Sequence, residues 1–388
     1  MKNREYGLTL VELILAMLIF SVVMSLISLS FSRIVRSSSL LVKSAETDIA
    51  GLIGLELLRR DAEAAGFGLP WALPDAVDYN EVSSGLVLPD CPCPQAAAYL
   101  YNDGTSGNPL PPSAYRLGNN VGYNGSDYLV LKGSALGMNN ASQSWGYLNF
   151  SSSGAVMKPG RNQPELSRDS DDRVIVLDNG IAAGAAGRKL VTNGSSFTLS
   201  LKNAESIPDA FAPRDHADNY LVYGVASAKN GKALDFPFNR ADYYISRPAD
   251  ISSNCAKGTG VLYKATINHN VAPTRYPVLE CVADMQVVLF LAQGDDQSAG
   301  SHTDHLDLTG GDLREWLKEV RIYILAQQGK VDPDYSYPVT DQDKAISVGE
   351  PSTFGRVWKG SELSATFGDN WRNYRWKVYT IVVQPKNL

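Results

Sequence analysis

Histidine and cysteine are scarce: the 388-residue chain holds four of each. Four cysteines are too few to build a fold from disulfides. The histidines, His216, His269, His302 and His305, form no H-E-x-x-H pattern. A G-x-S-x-G elbow, a Walker loop and a G-x-G-x-x-G fingerprint are absent as well, so no motif marks an enzyme or a cofactor site. A cationic excess is also missing. With 35 Lys and Arg against 41 Asp and Glu, the formal net charge is −6, which argues against a broad nucleic-acid surface. There is no internal repeat and no proline before Pro70. Hydrophobic residues at 44% and charged residues at 20% nevertheless describe an ordinary packed protein and not a disordered one.

What is present is concentrated at the N-terminus. Leu13 to Ser32, LILAMLIFSVVMSLISLSFS, is a run of 20 residues without a charge. As a helix it is roughly 30 Å long, the thickness of a bilayer's hydrocarbon core. The leader before it, MKNREYG, carries Lys2, Arg4 and Glu5, and Arg33 and Arg36 follow it. The positive-inside signal is weak, because these two arginines oppose Lys2 and Arg4. Glu12 stands at the mouth of the run, where a carboxylate near hydrocarbon costs about 2–3 kcal/mol unless a cation meets it. A free α-amine just upstream would be such a cation. A secretory signal cut near Ser30-Phe31-Ser32, or a plain anchor with Glu12 snorkelling, are the competing readings; the first leaves Glu12 unexplained.

The stretch Gly7-Leu8-Thr9-Leu10-Val11-Glu12 in front of that run resembles the type IV prepilins and their pseudopilin relatives. The resemblance implies cleavage between Gly7 and Leu8 by a prepilin peptidase. It also implies N-methylation of Leu8 and a mature chain with its glutamate, Glu12, at the fifth position, paired with the amine of a neighbouring stem. Many family members have Phe where this chain has Leu8.

Beyond Arg36 the pattern stays helical. Leu41, Ala45, Ile49 and Leu52, then Leu58, Ala62 and Ala65, fall at three- and four-residue spacing, and Glu56 precedes Arg60 by four. Gly66-Phe67-Gly68-Leu69-Pro70 supplies a cap and a stop. An unbroken helix from Leu8 to Ala65, 58 residues, is about 87 Å long. Gly51 and Gly54 in its interior read as a close packing face.

From residue 67 the chain turns β-rich. Candidate strands are Tyr128–Lys132, Arg173–Leu177, Phe197–Lys202, Tyr220–Ala226, Gly260–Ile267, Val282–Leu291, Val320–Ala326 and Arg375–Val383, with a short helix at Asp312–Lys318. Asn124-Gly125, Asn193-Gly194 and Asn230-Gly231 mark turns. Segments 89–125 and 292–312 read as long surface loops. The expected fold class is α+β: a long N-terminal helix packed on an antiparallel β-rich head. Four segments follow: a leader at 1–7, a membrane and assembly half-helix at 8–32, an amphipathic half-helix at 33–66 and a head at 67–388.

Asp61–Phe67 (DAEAAGF), Val282–Gln286, Val320–Ile324 and the closing Lys386-Asn387 resemble the PilW group of minor pilins. That resemblance implies a non-enzymatic subunit that initiates or caps type IV pili. Its partners would be the prepilin peptidase, other minor and major pilins, the inner-membrane assembly platform and lipid. The head would be periplasmic first and displayed on the pilus later. A type II secretion pseudopilin, or an adhesive head carried on a pilus, are the alternatives.

In an exported head the four cysteines can pair in three ways. Cys255 with Cys281, 25 residues between them, closes a loop worth about 3 kcal/mol and leaves Cys91 and Cys93 as a strained bridge or two thiols. A four-cysteine zinc site lacks the usual knuckle spacing. His302, Asp304, His305 and Asp307 allow a metal, but no helix aims them and they read as a solvated loop. Asp341 and Asp343 open something like a calcium loop whose glycine and closing glutamate are misplaced. No metal or cofactor is therefore expected.

Overall fold

In the computed structural model the described residues are 9–83, 86, 88, 98–103, 107–152, 154–161, 166, 172–180, 187–201, 207–227, 233–269, 272–292, 301–303, 308–350 and 354–388. Gly7, Leu8, Cys91, Cys93, Asp304, His305 and Asp307 lie outside them, as do the side chain of His302 and the Asn230-Gly231 turn.

One helix, α1, runs from Leu10 to Ala64, slightly shorter at both ends than the apolar pattern suggests. Thr9 caps it: its hydroxyl accepts from the Glu12 amide, and the Glu12 side chain accepts from the Thr9 amide. This capping box satisfies two amides that helix geometry leaves orphaned. At the other end Gly66 takes φ +87 and donates its amide to the Lys132 carbonyl. A Cβ there would come within 2.8 Å of the Asn387 carbonyl oxygen, so the turn off the helix requires glycine.

The head is built on two antiparallel sheets. The larger has the order β1 (Tyr115–Gly118), β2 (Tyr128–Gly133), β9 (Asn239–Ser246), β10 (Gly260–Ile267), β11 (Thr274–Leu291), β13 (Leu317–Gln328) and β16 (Arg375–Val383), with β12 (Ser301–Thr303) also paired to β11. The smaller runs β4 (Val156–Pro159), β3 (Trp145–Asn149), β8 (Tyr220–Ser227), β5 (Asp172–Asp178) and β6 (Lys189–Leu190), with β7 (Leu199–Ser200) paired to β5. A separate hairpin joins β14 (Ile346–Glu350) to β15 (Phe354–Trp358), and two short helices, α2 (Gly310–Trp316) and α3 (Gly360–Phe367), complete the head.

Side-chain alternation explains why the larger sheet is apolar on both faces. Met285, Val287, Leu289, Ile322, Ile324, Tyr379 and Ile381 belong to the core under α1. Their neighbours Ala283, Val288, Tyr323, Leu325 and Trp376 belong to a second core with Trp358, Phe367 and Trp371. The second core is therefore covered by the β14–β15 hairpin and α3.

Several expectations change. Leu52 is exposed, whereas Leu58, Ala62 and Ala65 are buried as the spacing indicates, and Leu55 joins them. Glu56 pairs with Arg59 and not with Arg60. Arg59 also bonds Glu63, whereas Arg60 reaches Gln143 at 3.2 Å. Phe197–Lys202 contracts to the two residues of β7. Segment 89–125 is not one long loop, since it contains β1, and 292–312 contains β12 and the start of α2. The missed strand β9 is buried at every residue, but Arg240 and Asp242 interrupt its apolar run.

A disulfide joins Cys255 to Cys281, with a Cα–Cα distance of 5.0 Å. It pins the connection before β10 to an irregular point of β11, where Cys281 takes φ +55 and the pairing register shifts.

Asp284, fully buried in β11, accepts from the Trp358 indole at 2.7 Å and from the Gln286 amide at 3.0 Å. Burial pushes its carboxyl up from 3.8 to about 6. Between those values the folded chain keeps a proton that the unfolded chain has lost, so stability falls as pH rises through that window. The expected loss between pH 4 and pH 7 is on the order of 3 kcal/mol. Denaturant titrations of the detergent-solubilised chain should show that slope, and Asp284→Asn should flatten it.

Candidate functional site: the stem and its seat on the head

The described part of α1 divides into an uncovered half and a docked half. Leu10–Ser32, 23 residues, is long and apolar enough to cross a membrane and has no part buried against the rest of the chain. Two of its serines turn their hydroxyls back onto the helix: Ser21 donates to the Leu18 carbonyl and Ser25 to the Ser21 carbonyl. The exposed apolar side chains continue beyond it at Ile34, Val35 and Val42.

Glu12 is not a bare charge at the mouth of this segment. One carboxylate oxygen accepts from both the amide and the hydroxyl of Thr9, each at 2.9 Å. The chain thus holds the carboxylate beside the residue that follows Leu8. The geometry fixes Glu12 in position at the tip of the stem. The second oxygen makes no bond among the described residues.

The docked half begins at Gly51. A Cβ on Gly54 would lie 1.8 Å from the Val278 carbonyl oxygen, so the helix touches the backbone of β11 at a point where only glycine fits. This is the close packing face anticipated for Gly51 and Gly54. Two turns later a buried ion pair follows: Lys264 of β10 reaches Asp61 of α1 at 2.5 Å, and the Tyr243 hydroxyl of β9 donates to the same carboxylate oxygen at 2.6 Å. Burial and the Asp61 charge together push the Tyr243 phenol far above its ordinary value. The Tyr115 hydroxyl donates to the Ala62 carbonyl at 2.6 Å, and the Asn387 amide to that of Glu63 at 2.8 Å. Both serve carbonyls of the last turn, that of Ala62 also accepting from the capping Ala65 amide at 3.3 Å.

Behind this seat lies a second buried charge cluster. Lys132 of β2 bonds Glu81 at 2.8 Å and also Asp103. Arg240 of β9 bonds Glu81 at 3.0 Å and Asp242 at 2.7 Å, and Arg116 bonds Asp103 at 2.7 Å. Burial opposes ionisation of Asp103, yet the Lys132 ammonium and Arg116 guanidinium hold its carboxyl below the usual range. Each of these cations faces a carboxylate, so the cluster ties Glu81 and Asp103 to the sheet. Of these residues only Asp61 stood out in the sequence, where it belonged to the DAEAAGF segment. Lys132, Lys264 and Arg240 sit singly inside strands, and one sequence alone does not show which acids meet them.

Among the described residues no three His, Cys, Asp or Glu side chains gather as a metal site. Asp341 accepts from the Asp343 amide at 2.9 Å, an ordinary local turn. His216 packs on Phe150 and His269 on Phe236; burial lowers the His269 imidazole to about 4.

Residues 2–28 match the family model of the prokaryotic N-terminal methylation motif. The match supports a type IV pilin-like N-terminus. The match spans the leader and most of the uncovered half of the stem, so it bears on processing and anchoring and not on the head. No curated protein and no solved structure is significantly similar to the chain. The motif implies processing by a prepilin peptidase and assembly with other pilins, and the pilin-like stem is compatible with anchoring in an inner membrane.

Replacing Lys264 by Met leaves Asp61 buried beside Tyr243 without a cation. Thermal denaturation should show a loss of about 3–5 kcal/mol. Adding Asp61→Asn to Lys264→Met removes the charge while keeping an acceptor for Tyr243, and should recover most of that loss.

Proposed function

We propose that the protein is a minor pilin of the PilW kind, cut between Gly7 and Leu8 by a prepilin peptidase, methylated on Leu8 and used to initiate or cap a type IV pilus. The observation that carries this reading is a fully uncovered apolar stem with an oriented carboxylate, Glu12, at its tip. Lipid covers such a stem before assembly. Once the stem is drawn from the membrane, only other stems can cover it.

The Glu12 carboxylate then pairs with the methylated Leu8 amine of a neighbouring subunit, which offsets the desolvation of both charges. Thr9 contributes by holding the carboxylate in one orientation before the partner arrives, so less side-chain freedom is lost on pairing. The bulky head, from residue 67 onward, favours a place at the tip, where few copies must stack. Cys255–Cys281 suits a head that matures in an oxidising periplasm.

Glu12→Ala should leave the chain membrane-inserted, since the change removes a charge from the mouth of the apolar run. Immunoblots of sheared filaments should lose the protein, and pilus number should fall. Unchanged amounts in both would contradict the pairing.

A further inference from the structure

Lys264 is the cation that seats α1, and one of its bonds goes to a sulfur atom. An ammonium carries three N–H donors. Lys264 gives one to Asp61 at 2.5 Å and one to the Leu136 carbonyl at 3.3 Å. A third meets the thioether of Met138, with 3.6 Å between nitrogen and sulfur. A thioether is a weak acceptor. The Lys264 side chain is only 1% exposed, so this buried ammonium turns a charged donor to a poor partner.

Met138 lies on the segment between β2 and β3, whose backbone is tied down on both sides of it. The Asn239 side-chain amide donates to the Ser134 carbonyl at 2.6 Å, and the Ser142 hydroxyl to the Gly137 carbonyl at 2.8 Å. The Asn139 side-chain amide donates to the Val225 carbonyl at 3.1 Å. Arg60 of α1 reaches the same segment at Gln143, which makes it one wall of the stem's seat. The Met138 side chain nevertheless meets solvent, for the residue is 53% exposed. The head's other two methionines do not compare: Met285 of β11 is fully buried, and Met157 of β4 packs on the inner face of the smaller sheet. Met138 thus links solvent to the buried cation that holds the stem.

We propose that Met138 is an oxidation site for hydroperoxides and that its sulfoxide binds Lys264 more tightly than the thioether does. A sulfur lone pair attacks one peroxide oxygen, an S–O bond forms and the O–O bond breaks. The oxygen that leaves takes up a proton and departs as water or an alcohol. Sulfur loses two electrons and the peroxide gains them. The product is a polar group in place of an apolar one, and its oxygen is a stronger acceptor than sulfur. Inside an apolar core such a change is disruptive. At Met138 one side is solvent and the other is an ammonium, so the new oxygen gains a charge-assisted hydrogen bond. That bond holds Lys264 against Asp61, and with it the register of α1. The inference rests on the seat alone and not on what the stem assembles with.

The test treats the full chain in detergent with dilute hydrogen peroxide and follows it by peptide mass spectrometry and thermal denaturation. Met138 should gain one oxygen well before Met157 and Met285 do. The melting temperature should then rise by about 2–4 °C, the effect of one added hydrogen bond to a charged group. Met138→Leu treated in the same way should show no rise. Oxidation of Met17 and Met24 on the stem is common to both chains and cancels in that comparison. Methionine sulfoxide reductase should return the oxidised wild type to its starting value, a reading that does not depend on how well Met138→Leu folds. Sulfoxide at Met157 or Met285 before Met138 overturns the site. A melting temperature that stays the same or falls once Met138 is oxidised, or that rises equally in Met138→Leu, overturns the tightening.

Discussion

A helical stem of apolar side chains that its own chain never covers is the constraint to which the rest of the molecule answers. Each fully exposed Leu, Ile or Phe forgoes about 1.5–3 kcal/mol of burial, and Leu10–Ser32 exposes them all round. No rearrangement of the head can cover a helix that leads away from it. The cover has to come from lipid or from other stems, and the same surface serves both. Glu12 is fixed by Thr9 at the mouth of that surface and, in the proposed assembly, is the point a neighbour meets.

A stem that assembles as proposed transmits force only if it is firmly seated, and its seat is polar where an apolar one would have been simpler. Gly54 sets the distance between helix and strand, and Asp61 with Lys264 and Tyr243 sets the register. Buried ion pairs seldom add net stability over a well-packed apolar substitute. Their use here fits a demand for one orientation of the helix, because a slipped or rotated α1 would bury Asp61 without its cation. The Lys132, Arg240 and Arg116 cluster applies the same logic to the segment around Glu81 and Asp103.

Much of the fold was legible because its signals are local. The apolar run, the Gly66 turn, and the strands Gly260–Ile267 and Arg375–Val383 follow from period and punctuation alone. β9 was hidden by its own buried charges, Arg240 and Asp242, which break the apolar pattern although every residue of the strand is inside. Asn124-Gly125 showed as a turn, with Asn124 at φ +58, but β1 just before it did not, for it is only four residues long. The exposure of Leu52 could not be read either, since three- and four-residue spacing admits two adjacent stripes and only contact with Val278 and Leu279 selects one. At the site, the stem was plain in the sequence, whereas its seat depends on pairs such as Asp61 with Lys264 that lie some two hundred residues apart. The Cys255–Cys281 bridge was accessible because a single hairpin brings the two cysteines together.

The account rests on a new amine appearing beside Thr9, and intact-mass and peptide mass spectrometry of the chain isolated from membranes measures that directly. A mature chain that starts at Leu8 and carries one methyl group on its α-amine is the predicted result. A chain starting at Met1, or one starting beyond Ser32 with the stem removed, would contradict it.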